Sequence, residues 1–224
     1  MFAITVGVFS NCSTIYAQNT ASGSANFSEF IGEGVEIGQV YIGTSVIAPS
    51  TPLFALKTLK EQLEMALAQT DHVKQMRQLE FSVRRLREIN TLTIQNRQDL
   101  IPNTIEHYLD NIHNFLESEV KDSEPEEKRM EIISRQMEIL VNLYQKSTDP
   151  RGKMYIRRAI VDLEEYNRIQ LPTINNQNLI QTQALVCQFL QTEVKGPELN
   201  QSQQVITAEF VDNCFATLNN LNPK

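Results

Sequence analysis

The sequence predicts an all-α protein: an antiparallel helical bundle with a short N-terminal extended segment and a C-terminal helical hairpin. Three observations carry this. From Pro52 onward, apolar residues recur in steps of three and four, the period of one helix face. Each periodic run opens on a polar cap or a proline at a first-turn position. Glycine and proline stand at eight each and tryptophan is absent, whereas a β-rich chain needs many turns.

The chain divides by composition. Residues 1–17 open with the apolar run Met1-Phe2-Ala3-Ile4-Thr5-Val6-Gly7-Val8-Phe9 and offer Ala17 as a small residue before Gln18. That is the pattern of a secretory signal peptide or its remnant, without the basic start. The run is too short to span a bilayer, which takes about 20 apolar residues. A lipid anchor at Cys12 is disfavoured by the bulky Phe9 before it. Residues 18–51 form a small, polar linker followed by a loosely alternating extended segment (Val35, Ile37, Val40, Ile42) carrying Gly34, Gly38 and Gly43.

Residues 52–169 hold 18 of the 20 basic and 20 of the 27 acidic residues, as solvated amphipathic helices do. Ser50-Thr51-Pro52 reads as a cap and first-turn proline. Leu53, Leu56, Leu59, Leu63 and Leu67 then line one face, which at this spacing is expected to be core. Lys57 and Glu61, and Lys60 and Glu64, stand four apart and are expected to pair along the helix, each pair worth roughly 0.2–0.5 kcal/mol. Thr70-Asp71 caps the second helix, whose stripe is Val73, Met76, Leu79, Val83, Leu86 and Ile89 or Asn90, with Arg84, Arg85, Arg87 and Glu88 beside it. Asp99 or Asn103 caps a third, with Ile105, Tyr108, Leu109, Ile112, Leu116 and Val120 inward. Ser123-Glu124-Pro125-Glu126-Glu127 starts a fourth, carrying Met130, Ile133, Met137, Leu140, Val141 and Tyr144. Asp149-Pro150 ends or restarts the chain. Within it Asp149-Pro150-Arg151-Gly152 reads as a turn, before a fifth helix with Met154, Ile160, Leu163 and Tyr166 that Leu171-Pro172 stops.

Residues 170–224 are rich in Asn and Gln and form either a separate subdomain or a tail with two short helices around the break at Lys195-Gly196-Pro197. With residues 1–17 removed, Cys187 and Cys214 remain. In an oxidising compartment they are a candidate disulfide across the hairpin; the alternative is two buried thiols.

The stretch Pro52-Leu53-Phe54-Ala55-Leu56-Lys57, its continuation through Lys60, Glu61, Glu64 and Leu67, and the cluster Arg84-Arg85-Leu86-Arg87-Glu88 resemble a family of exported bacterial proteins of unknown function, the DUF5667 type, over roughly residues 46–145. The chain departs from that pattern at Ala55, where the family often has proline, and at Phe54 in place of tyrosine. The resemblance implies an extracytoplasmic helical domain and brings no catalytic residue with it.

The search for chemistry is short. His107 and His113 are six apart, not the four of a zinc pair, and His72 stands alone, so no metal ligand is assigned. No phosphate-cradling, nucleophile-elbow or calcium-loop motif occurs, so no cofactor and no catalytic residue is expected. Glu126-Glu127 and Glu164-Glu165 read as exposed helical pairs. The formal charge of −7 disfavours nucleic-acid binding. The expected function is a non-enzymatic interaction or structural module in the periplasm or at the cell surface, meeting an envelope protein or a surface polymer. It would touch a membrane only through an uncleaved N-terminus, and its oligomeric state is open. The alternatives are a stress- or metal-responsive protein with a weak His/carboxylate site, and an enzyme built from dispersed carboxylates.

Overall fold

The computed structural model describes residues 42–117, 125–174, 176–196, 199 and 201–221. The leader, the linker, Val35, Ile37 and Val40, together with Val120, Ser123, Glu124 and Pro197, lie outside the described residues. The described chain is all-α. Seven α-helices run as α1 (Phe54–Ala66), α2 (Asp71–Ile94), α3 (Ile101–Glu117), α4 (Glu126–Lys146), α5 (Pro150–Gln170), α6 (Gln177–Val194) and α7 (Gln201–Leu221), with single 3-10 turns at Gln98–Leu100 and Leu171–Thr173.

Helix starts follow local chemistry. Thr70 Oγ1 accepts from the Val73 N–H at 3.2 Å and opens α2. Asp149 accepts from the Gly152 N–H at 2.6 Å, and Pro150 occupies the first helical position. This stretch is thus a helix start rather than the free-standing turn read from the sequence. Asn176 caps α6. Two expected caps are not made. Thr51 Oγ1 donates to the Ala48 carbonyl at 2.8 Å, closing a turn, and Ser50 Oγ donates to Gln95 at the end of α2 at 2.8 Å, so α1 begins later, at Phe54, without a side-chain cap. Asp99 instead pairs with Arg97, and a 3-10 turn leads directly into α3. The side chain that organises this corner is Gln98, whose Oε1 accepts from Ser147 Oγ at 2.8 Å and from the Thr148 and Asp149 N–H groups at 2.9 and 2.8 Å. It satisfies backbone donors that the α4–α5 connection would otherwise leave open.

Short connections pair successive helices: α2 with α3, α4 with α5, α6 with α7. Contacts of α3 with α5, α4 with α6 and α2 with α4 join the pairs into one bundle. The core takes Leu86 and Ile89 from α2, Ile105, Tyr108 and Ile112 from α3, Ile133, Met137 and Leu140 from α4, and Ile156, Ile160 and Leu163 from α5. Val186, Leu190 and Val211 of the C-terminal hairpin enter the same core. Inside it Tyr108 Oη donates to Gln136 at 2.7 Å, and Gln136 Nε2 donates to Ser82 Oγ at 3.2 Å, tying α2, α3 and α4 together. Cys187 of α6 and Cys214 of α7 form a disulfide, their Cα atoms 5.8 Å apart. Among the described residues no helix is long and apolar enough to cross a membrane.

Candidate functional site

The stripes on α2, α3 and α4 face the core largely as their period predicts, with Val73 at the start of α2 and Met154 on α5 left exposed. The stripe on α1 does not. Leu56, Leu59, Leu63 and Leu67 are 64, 52, 54 and 77% exposed, and Leu53 is exposed beside them. The expectation that this face is core is overturned. The face of α1 that meets the bundle is the charged one.

Lys57, Glu61 and Glu64 share the inner face of α1, opposite Arg84, Arg85 and Glu88 on α2, and Glu80 and Arg77 continue the ion pairs along α2 from Arg84. Arg85 is the centre. One amine of its guanidinium donates to both Glu88 oxygens at 2.7 Å, and the other meets Glu61. Glu88 is 0%, Arg85 5% and Glu61 6% exposed. Lys57 closes the circuit on Glu88 and also donates to Ser45 Oγ and the Ile47 carbonyl, both at 3.3 Å. Arg84 reaches Glu64 at 3.0 Å, Glu61 at 3.4 Å and Glu80. Burial works against the Arg84 charge, but Glu80 and Glu64 outweigh it and its pKa is raised. The Phe54 ring lies 5.7 Å from the Arg85 guanidinium and 6.0 Å from the Lys57 ammonium. Of the two expected i,i+4 pairs on α1, Lys60–Glu64 forms at 3.5 Å, while Lys57 and Glu61 turn to α2.

The segment before α1 laces over the same stretch of α2. The Ser45 N–H donates to Thr91 Oγ1 at 2.8 Å, and Asn90 Nδ2 donates to the Gly43 carbonyl at 2.7 Å. Gly43 has φ of 75°, a left-handed conformation that glycine adopts without strain. Arg87 Nε donates to the Ile42 carbonyl at 3.3 Å. Between this segment and α1 lies an open groove of about 460 Å3, lined by Val46, Leu56, Lys60 and Arg87 among others.

The candidate residues from the sequence fall elsewhere. Cys187 and Cys214 meet, as a disulfide. His107 and His113 are both exposed on α3, and among the described residues no group of three His, Cys, Asp or Glu could hold a metal ion. Of the carboxylate pairs, Glu126 accepts from Tyr166 Oη at 2.7 Å and Glu127 from Asn176 Nδ2 at 2.9 Å. Glu164, expected at the surface, is fully buried. Gln183 Nε2 donates to its Oε1 at 2.9 Å, Arg168 lies 3.6 Å away, and its Oε2 has no hydrogen-bond partner among the described residues. Loss of water around it pushes its pKa up to about 7, against the pull of Arg168 and Gln183.

Residues 46–150 match the family model described as a domain of unknown function (DUF5667). The match runs from the groove-lining segment through α1–α4 and covers a little under half of the chain. No curated protein and no solved structure matches.

Proposed function

We propose that this chain, whose residues 46–150 are a DUF5667 domain, is a non-catalytic interaction module of the periplasm or cell surface, with α1 as its docking element. The observation that carries the reading is the inversion of α1. A helix that turns its charges to its own domain and its leucines outward leaves an apolar face without a partner among the described residues. Contiguous exposed apolar surface of this kind marks interaction sites. The charged seam supplies what an outward apolar face requires, a fixed orientation. Buried ion pairs contribute little net stability, but their geometry admits one register. The extracytoplasmic placement is supported by the Cys187–Cys214 disulfide, since such bonds persist in oxidising compartments, and by the leader-like start of the sequence.

A photo-crosslinking residue at Leu59, in the protein expressed in its native host, tests the docking role against the same residue at His113 on α3. A discrete envelope adduct from position 59 alone is expected. Equal labelling from both positions, or none from 59, would remove the case for α1. The location is tested by intact mass after alkylation without reduction: Cys187 and Cys214 should resist the alkylator, and their full modification would place the chain in a reducing compartment.

A further inference from the structure

We infer that the partner seated on α1 is an amphipathic helix carrying carboxylates beside its apolar stripe. This rests on α1 being a docking face and names the chemistry that would occupy it. The spacing of Leu56, Leu59, Leu63 and Leu67 is that of a helix–helix seam, in which side chains at steps of three and four insert between those of a facing helix.

The most exposed charge that α1 carries beside this seam is a cation. Lys57, Glu61 and Glu64 are turned to α2, so the charge that α1 shows to solvent is Lys60, 72% exposed. At the rim of the groove stands Arg87. Its Nε is held by the Ile42 carbonyl, and no carboxylate pairs with it among the described residues. An incoming helix therefore meets leucines flanked by Lys60, which is 72% exposed with Glu64 3.5 Å away on its inner side, and by Arg87, and carboxylates on it would give Arg87 a counter-charge and Lys60 a second one.

The other occupants fit less well. Lys60 is the midpoint of Phe54–Ala66, so a second copy packed antiparallel about that midpoint would set Lys60 against Lys60, a like-charge contact. A helix lying in a lipid surface needs a basic polar face at the headgroups. The polar face of α1 is turned to α2, where Arg84 and Arg85 hold its Glu64 and Glu61 and Glu88 holds its Lys57, and the chain carries a formal −7, which an anionic surface repels.

The test uses the full, disulfide-bonded chain and two labelled synthetic helices that share a leucine seam, one flanked by glutamates and one by lysines. Binding is read by fluorescence anisotropy. The glutamate helix is expected to bind about tenfold tighter or better at low salt, with the margin shrinking as salt rises. Lys60→Glu with Arg87→Glu should reverse the preference, and Leu59→Glu should abolish binding of both helices while the circular dichroism spectrum stays unchanged. Equal or tighter binding of the lysine helix would overturn the acidic partner while leaving α1 a docking face. Binding of neither helix, with no effect of Leu59→Glu on any assembly, would sink the docking role itself. Sedimentation as a dimer that Leu59→Glu dissociates would install a second copy as the occupant, and co-flotation with phosphatidylglycerol vesicles a lipid surface. Either result would overturn the proposal.

Discussion

Arg85→Met removes the cation at the centre of the α1–α2 seam and keeps most of the side-chain volume. Arg85 is the main partner of two buried carboxylates, Glu88 and Glu61. Taking one member out of a buried ion network costs about 3–5 kcal/mol, because the remaining charge stays desolvated without its partner. Two groups moderate the loss here. Lys57 still reaches Glu88, and Arg84 still lies 3.4 Å from Glu61, which places the expected loss near the lower end, about 3 kcal/mol. For a chain of this size that corresponds to a fall of roughly 6–12 °C in Tm. The assay is urea and thermal unfolding followed by far-UV circular dichroism with the disulfide intact. A double-mutant cycle sharpens it. Glu88→Met alone should also destabilise, and the Arg85→Met/Glu88→Met double variant should lose less than the sum of the two, giving a coupling above about 1 kcal/mol. A loss below about 1 kcal/mol for Arg85→Met, the range of an exposed pair, would refute the claim that the seam is buried and organised on this residue.

Three further perturbations have defined outcomes. Glu164 holds its proton more tightly folded than unfolded, with a pKa of about 7 against an ordinary 4.5, so its own contribution to stability is greatest below pH 4.5, falls as pH rises to about 7 and is level above it. The span has a ceiling of roughly 3 kcal/mol, and Glu164→Gln should flatten that slope in denaturant titrations across the range. Loss of the disulfide, by reduction or by Cys187→Ser with Cys214→Ser, opens a span of 27 residues and should cost about 3–4 kcal/mol in urea midpoints, with no coupling to Arg85→Met, whose hydrogen-bond and ion-pair partners lie on α1 and α2. Leu63→Ser on α1 should change stability by less than about 0.5 kcal/mol, whereas Leu86→Ala in the core should cost about 2–5 kcal/mol.

Much of the bundle was legible from periodicity and punctuation. Thr70 caps α2 where the residues suggested, Leu171-Pro172 ends α5, and the spacing of Cys187 and Cys214 about a break at Lys195-Gly196 allowed the bridge that forms. The orientation of α1 was not legible, for a physical reason. Its leucines and its Lys57-Glu61-Glu64 row repeat with the same period, so periodicity reveals two faces without saying which one packs. The missing signal lay in α2. Arg84, Arg85 and Glu88 form a charge row that needs partners of opposite sign, and the Lys-Glu-Glu row of α1 supplies them. Matching charge rows between neighbouring helices, rather than counting leucines on one, would have turned α1 the right way. Glu164 was missed for a different reason. Glu165 beside it is exposed, whereas Glu164 is met by Gln183 of α6, whose amide also lies against Cys214 of α7. No local pattern encodes that contact.

The most direct measurement of the inverted helix is hydroxyl-radical footprinting of the native, disulfide-bonded chain, read by mass spectrometry at single leucines. Leu56, Leu59 and Leu63 should oxidise readily, while Leu79, Leu86 and Leu140 stay protected. Protection of the α1 leucines to the level of the core leucines, in a chain shown to be monomeric under the same conditions, would contradict the outward face and the docking role built on it.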